Sequence, residues 1–466
     1  MTLESINPAN GQSIKTYPAH SDAEVEDAID KAVTAFKDWR HTDLDHRAAC
    51  MRKAADILRI NKQEYGLLVS REMGKPVKQA IAEIEKSAQA CDHYADKARE
   101  YLAVESVQTS NSESYVAFEP LGVILAVMPW NFPFWQVIRF AAPALMAGNA
   151  GLLKHASNVS GCALAIEAVF HAAGFPAGLF KTLLIESKRV EAVVTNPAIS
   201  AVTLTGSGPA GSAVASAAGM SLKKSVLELG GNDAYVVLKD ADLLLAARIC
   251  VQSRMNNAGQ SCIAAKRLIV EAAVVKEFES LVAKELADYV AGDPEQEDTT
   301  LGPLARPDLR EELQRQVDDS IAMGAICVLG GKIPEGDGAY YPATLLTNVT
   351  SEMPAFREEL FGPVACIISA RDEATAIQLA NDSLFGLGAA VFSRDIEKAK
   401  KIATHQLEAG TCVVNDFVRS DALLPFGGIK QSGYGRELSH FGIREFVNVK
   451  TVYVGPASQA APARIK

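Results

Sequence analysis

The sequence predicts an α/β protein with two parallel-sheet domains, and three observations carry that prediction. Short apolar runs alternate with helical stretches from about residue 121 to 229, and a second series of the same kind runs from about 241 to 415. Two further segments, 115–118 and 447–454, alternate like strands but stand outside both series. Strands and helices in alternation are the pattern of parallel sheets closed by helical crossovers.

The first hundred residues read as helices. They begin at Ser21-Asp22-Ala23-Glu24, a capping-box pattern, with Val25, Ile29, Val33 and Phe36 recurring on one face. The first series then places strands at 123–128, 151–154, 183–185, 202–205 and 225–229, with helices over 160–173 and up to Ala218. The second has helices over 241–255 and 274–290, and strands near 268–270, 326–329, 388–393 and 410–415. The last ten residues, rich in Ala and Pro, are expected to fray.

At 466 residues the chain exceeds one core, and a length of ~150 residues per domain suggests roughly three. The eight cysteines form no CxxC pair, and Cys91 lies on the apolar stripe Ile81, Ile84, Ala88, Cys91, Ala95. That usage fits a reducing compartment without disulfides. The net charge of -10, spread along the chain, argues against a nucleic-acid partner. No basic segment followed by an apolar one opens the chain, and no run approaches ~18 uninterrupted apolar residues. The expectation is a soluble cytoplasmic protein with no membrane or nucleic-acid partner and no metal site.

The chemistry concentrates in three stretches. Cys262 closes the run Asn256-Asn257-Ala258-Gly259-Gln260-Ser261-Cys262, and Glu228 opens Glu228-Leu229-Gly230-Gly231. Asn131 stands in Pro129-Trp130-Asn131-Phe132-Pro133. A thiol, a candidate base and an amide donor are the parts that covalent attack on a carbonyl needs. The other cysteines (Cys50, Cys91, Cys162, Cys250, Cys327, Cys366 and Cys412) read as small buried hydrophobes, the usual fate of a free cysteine.

A further motif admits two readings. Val202-Thr203-Leu204-Thr205 runs into Gly206-Ser207-Gly208-Pro209-Ala210-Gly211, a literal G-x-G-x-x-G between strand and helix. A conventional dinucleotide site would place an acid ~20 residues on, at the ribose, and Glu228 falls there. One carboxylate cannot readily hold a ribose and also serve a thiol.

The Asn131, Glu228 and Cys262 stretches, in that order, resemble the aldehyde dehydrogenase superfamily, and the resemblance covers nearly the full chain. It implies two Rossmann-type α/β domains plus a small β-flap used for oligomerisation. The expected division is 1–102 with 121–230 for cofactor binding, 231–430 for catalysis, 103–120 with 440–456 for oligomerisation, and 457–466 as a tail. The assembly expected is a homodimer or homotetramer. In the family the glycine stretch is usually Thr-Gly-Ser without the middle glycine, so Thr205, Gly206 and Ser207 bind cofactor, Gly208 is incidental and Glu228 is the base. Leu229 and Trp130 are implied beside the cofactor, with Glu359 on the nicotinamide ribose and Phe361 against the ring.

Ribose binding is implied at Lys154-His155-Ala156-Ser157, where the family commonly has Pro in place of His155. A Glu at the last position would repel a 2'-phosphate, whereas Ser157 can donate to it and Lys154 adds charge. NADP is therefore preferred over NAD, and Ser187, Lys188 and Arg189 are further candidates for the phosphate.

The resemblance also implies the reaction: Cys262 attacks an aldehyde, giving a thiohemiacetal and then a thioester whose hydrolysis releases a carboxylic acid. Arg139 would lie two helical turns past Asn131, and Ser420 precedes Phe426 in a loop that borders the substrate mouth. With Trp135, they compose a site for an anionic tail, and Arg254 is a weaker candidate. The arrangement is similar to bacterial succinate-semialdehyde dehydrogenases, so the expected substrate is succinic semialdehyde. Glutaric semialdehyde, a neutral aliphatic aldehyde, acyl transfer to CoA, a conventional reductase and a non-catalytic binding protein of the same fold stay open.

Overall fold

The structure, a computed structural model, describes residues 2–111 and 113–455; the tail expected at 457–466 lies outside the described residues. The first sheet has five parallel strands in the order Lys224–Glu228, Ile199–Thr205, Val123–Met128, Ala150–His155 and Phe180–Thr182. Gly433–Tyr434 adds an antiparallel edge beside Lys224–Glu228. The apolar run Val123–Met128 sits centrally because both its faces are covered. Its neighbours lead away on opposite sides, so the carboxyl ends of Val123–Met128 and Ile199–Thr205 border a crevice, the usual ligand position in an open α/β sheet. Asn131 and Gly206 follow those two ends.

The second sheet has seven strands: Ile326–Leu329, Thr344–Thr347, Val364–Ala370, Arg267–Glu271, Ala234–Val237, Gly388–Phe392 and Thr411–Val414. All pairs are parallel except the first. Outside both sheets, Glu113–Pro120 pairs antiparallel with Glu105–Ser106 and Val447–Val454, as the alternation of those segments predicts. Each large sheet has its own apolar core. Phe426, Leu438, Ile443 and Phe446 return to the first core, so the chain leaves the second sheet before residue 430. Among the described residues no helix is long and apolar enough to cross a membrane.

Several elements differ from the sequence reading. Thr2–Ile6 and Ser13–Pro18 form a hairpin ahead of the helices. The strand expected at 183–185 is Phe180–Thr182, although Leu183 N–H still donates to Leu153 O at 2.7 Å. The helix expected over 274–290 stops at Leu286. Ala234–Val237, Thr344–Thr347 and Val364–Ala370 escape the alternation because short buried apolar runs have no polar face and hence no period to detect.

One contact between helices positions the site. The helix Trp135–Met146 begins at Phe134, which has no side-chain cap to offer. Glu83, from the helix Val77–Tyr101, fills that role: its Oε1 accepts from Phe134 N–H (2.9 Å) and Trp135 N–H (3.1 Å). Its charge complements the helix dipole and is paired with Lys75, both side chains being at most 2% exposed. The Lys75 ammonium lies 3.7 Å from the centre of the Phe132 ring. Glu83→Ala would strand Lys75 and two amide donors, with an expected loss of ~3–5 kcal/mol. Chemical denaturation checks this; a loss under ~1 kcal/mol would mean that water replaces the carboxylate.

Candidate active site

The loop that carries the thiol is shaped by left-handed backbone. After the helix Leu243–Met255, Asn257 (φ 54°) and Ala258 (φ 52°) adopt that conformation, and Gly259 follows at φ 74°. Two such non-glycine residues are unfavourable by ~1–3 kcal/mol each unless held. Asn257 is held on both sides: its N–H donates to Gln79 Oε1 (2.8 Å), and its Nδ2 donates to Asn131 O (2.8 Å) and Gln260 O (3.1 Å). Gly259 must be glycine, because a Cβ there would stand 2.2 Å from Gly362 O.

Gln260 O also orients Asn131, the candidate oxyanion donor. Asn131 Nδ2 donates to Gln260 O at 3.0 Å, and its Oδ1 accepts from Gln136 Nε2 at 3.0 Å. One amide hydrogen of Asn131 is left over, and among the described residues the Cys262 N–H meets no acceptor. Lys266 Nζ donates to Ser261 O (2.9 Å) and Cys262 O (2.7 Å) and lies 3.2 Å from Glu359 Oε1. The thiol loop is thus tied to the acid expected at the nicotinamide ribose.

His155 joins this framework. Its Nε2 lies 3.0 Å from Pro133 O and its Nδ1 3.2 Å from Met128 O, both within hydrogen-bond distance. Burial pushes the ring down to about 4, keeping it neutral. The histidine therefore clamps the far end of the Asn131 loop to the strand that leads to Ser157.

The resting site holds its protons. Burial pushes the Cys262 thiol up to about 12, against the pull of the Lys266 and Arg139 cations. Glu228 is buried and neither carboxyl oxygen meets a hydrogen-bond partner. Burial first, and the neighbouring Glu437 second, raise it well above the ordinary carboxylate range, opposed by Arg139 and Arg436. Gly427 makes room for it, since a Cβ there would lie 2.7 Å from Glu228 Oε1.

Two cavities meet at the thiol. The larger, about 390 Å³, is lined by Trp130, Asn131, Thr205, Gly206 and Ser207 on one side. Glu228, Leu229, Glu359 and Phe361 complete it, and Trp130 meets Phe361 edge-to-face across it, ring centres 5.8 Å apart. Cofactor candidates from distant parts of the chain are therefore brought together. The residues fit a dinucleotide: a Cβ on Gly208 would meet nothing within 4 Å, as expected if that glycine is incidental, whereas Gly211 packs against Leu229.

Lys154 and Ser157 do not line this cavity. Ser157 is exposed and borders an adjacent cavity of about 630 Å³, which shares Arg306 with the first. Lys154 is buried, which lowers its pKa, and its Nζ lies 3.4 Å from Ser187 Oγ. Of the other phosphate candidates, Arg189 is paired with Asp22 and Lys188 with Glu186.

The smaller cavity, about 160 Å³, is lined by Cys262 and by all the substrate candidates: Trp135, Arg139, Ser420 and Phe426. Arg139 borders the cavity, but its charge is taken by a buried ion pair with Glu437, its Nη2 donates to Thr205 Oγ1 (3.3 Å), and its guanidinium lies over the Phe426 ring. It is not a free cation. Arg254 lines neither cavity and donates to the carbonyls of Val364, Leu360, Gly362 and Gly259.

Gln136, Lys266, Glu437 and Lys86 were not legible as site residues. Lys86 lines the smaller cavity from the helix Val77–Tyr101. No local signal marks it, because a lysine on a long amphipathic helix reads as a solvated face.

Known proteins place this geometry. Residues 1–452 match the aldehyde dehydrogenase family. A probable succinate-semialdehyde dehydrogenase (NADP+) of Synechocystis sp. is 52% identical over 97% of this chain and 100% of its own. A succinate semialdehyde dehydrogenase (NAD(P)+) of Escherichia coli is 47% identical over 96% of this chain and 97% of its own. The crystal structure of a succinic semialdehyde dehydrogenase from Streptococcus pyogenes, in complex with NADP+, superposes with a TM-score of 0.95 at 37% identity, covering 97% of this chain and 100% of that one.

The protonated Glu228 generates a prediction about stability. Above the unfolded value, ~4.3, the folded protein keeps a proton that the unfolded chain releases, so stability falls as pH rises towards the folded value. Glu228→Gln removes that titration. From about pH 5 upward, its stability relative to wild type should grow by at most ~1.4 kcal/mol per pH unit. Denaturant melts across that range check it, and parallel curves would mean that Glu228 is ionised at rest.

Proposed function

The chain belongs to the aldehyde dehydrogenase family, and from that premise we propose that it is an NAD(P)-dependent enzyme oxidising succinic semialdehyde to succinate. The observation that carries this reading is the position of Cys262 on the wall common to both cavities. A thiol there faces a short acyl chain on one side and a nicotinamide on the other. The relatives named for this reaction, similar over nearly the whole chain, support the same substrate.

In this proposal the ionised form of Glu228 takes the thiol proton as Cys262 Sγ bonds to the aldehyde carbon. The Asn131 amide and the Cys262 N–H hold the resulting oxyanion, each donor contributing ~3 kcal/mol to the transition state. Hydride acceptance is the chemistry that a bound NAD(P) supplies. Glu228, once it has released the first proton to solvent, takes a proton from the water that attacks the thioester; the C–S bond breaks, the Cys262 thiolate leaves and recovers that proton, and the carboxylate is freed. Trp130, Thr205, Gly206, Ser207, Leu229, Glu359 and Phe361 hold the cofactor, while Lys154 and Ser157 receive the 2'-phosphate of NADP, the preferred form. The Val447–Val454 edge, where Val449 and Tyr453 are exposed, serves in assembly of a homodimer or homotetramer.

The substrate reading is tested by steady-state kinetics with succinic semialdehyde and hexanal, following reduced cofactor and identifying the product. Wild type is expected to favour the semialdehyde by about ten- to a hundredfold in kcat/KM, and Cys262→Ala to abolish turnover of both. Equal efficiency for the two aldehydes would remove the anionic-tail assignment. For the cofactor, Ser157→Glu is expected to shift the NADP:NAD ratio towards NAD by about tenfold or more, through repulsion of the phosphate; an unchanged ratio would place the phosphate elsewhere.

A further inference from the structure

The smaller cavity presents one cation without a carboxylate partner. Lys86 Nζ donates to Ser420 Oγ at 3.0 Å and stands 4.1 Å from the centre of the Trp135 ring. Among the described residues no acid lies within ion-pair distance of it, whereas Arg139 is paired with Glu437 and Arg419 with Asp416. Trp135 Nε1 also donates to Ser420 Oγ, at 2.9 Å. With two donors occupying its oxygen, the Ser420 hydroxyl must direct its own hydrogen elsewhere. An ammonium, an indole and a hydroxyl thus converge in a cavity that also holds Cys262, and two hydrogens of the ammonium remain for an acceptor.

We propose that Lys86 is the specificity-determining residue for the anionic end of the substrate, with its ammonium and the Ser420 hydroxyl binding the carboxylate while Arg139 serves to hold Glu437. This rests on the semialdehyde reading above and names the group that executes it. The Trp135 face keeps the ammonium in place without neutralising it. Its setting also makes recognition depend on pH. Burial, with the Arg139 and Arg419 cations, lowers Lys86 to about 8, while Glu83 and Asp421 oppose the shift. The positive charge is present below that value and is lost as pH rises through it.

The test compares wild type, Lys86→Met and Lys86→Arg with succinic semialdehyde and hexanal from about pH 7 to about pH 9.5. The ratio of kcat/KM for the two aldehydes cancels titrations at Cys262 and Glu228. In wild type this ratio should fall as pH rises past about 8. Lys86→Met should lower it about ten- to a hundredfold at pH 7 and flatten its pH dependence. Lys86→Arg, charged throughout, should keep much of the preference at pH 7 and lose the decline above pH 8.

A Lys86→Met protein that retains both the preference and its decline overturns the assignment and leaves the semialdehyde reading intact. Absence of any preference in wild type overturns both. Should Lys86→Met fail to fold, Lys86→Arg decides alone, since persistence of the decline would place the titrating group elsewhere.

Discussion

The site depends on one carbonyl. Gln260 O accepts from the side-chain amides of both Asn131 and Asn257, and so joins the loop after the first sheet's central strand to the loop that carries Cys262. The Asn131 loop and the thiol loop both reach the first core, against which Trp130, Phe132, Cys262 and Ile263 pack, while Ala258 is buried in the second. The left-handed backbone at Asn257 and Ala258 makes the junction possible by turning the chain back on itself. The bonds from the Asn257 side-chain amide to Asn131 O and from Asn257 N–H to Gln79 Oε1 stabilise that turn. Strain in the loop and order in the oxyanion donor are therefore the same structural fact.

A second constraint is electrostatic. Glu228 is buried and Cys262 half-buried, and the loss of water around them favours the neutral form of each. Burial therefore biases both groups towards their protonated forms at rest. The cations nearest them, Lys266 and Arg139, are anchored to carbonyls or to Glu437 and so moderate the field without neutralising either group.

Legibility followed locality. The capping box at Ser21 and the run Val123–Met128 were read correctly because their signals lie within a few adjacent residues. Val364–Ala370 was not, because a strand buried on both faces has no periodicity. Cys262, Glu228 and Asn131 could be named from their flanking glycines, amides and prolines, and the fold brings them to one cavity. Lys86 could not, since its relation to Ser420 and Trp135 exists only after a long helix packs against two distant loops.

The sequence by itself determined the inventory and the order: an α/β chain, a thiol, a base, an amide donor, and a loop able to receive a nucleotide. Those follow from residue types and short spacings, which are properties of the covalent chain. Only the tertiary structure decided which charges stay free. Arg139 and Lys86 are both cations beside the same cavity, yet one meets Glu437 and the other meets a hydroxyl and an indole face. Whether a buried cation is spent on an internal partner or left for a ligand depends on contacts between residues hundreds of positions apart, and those contacts are set by packing.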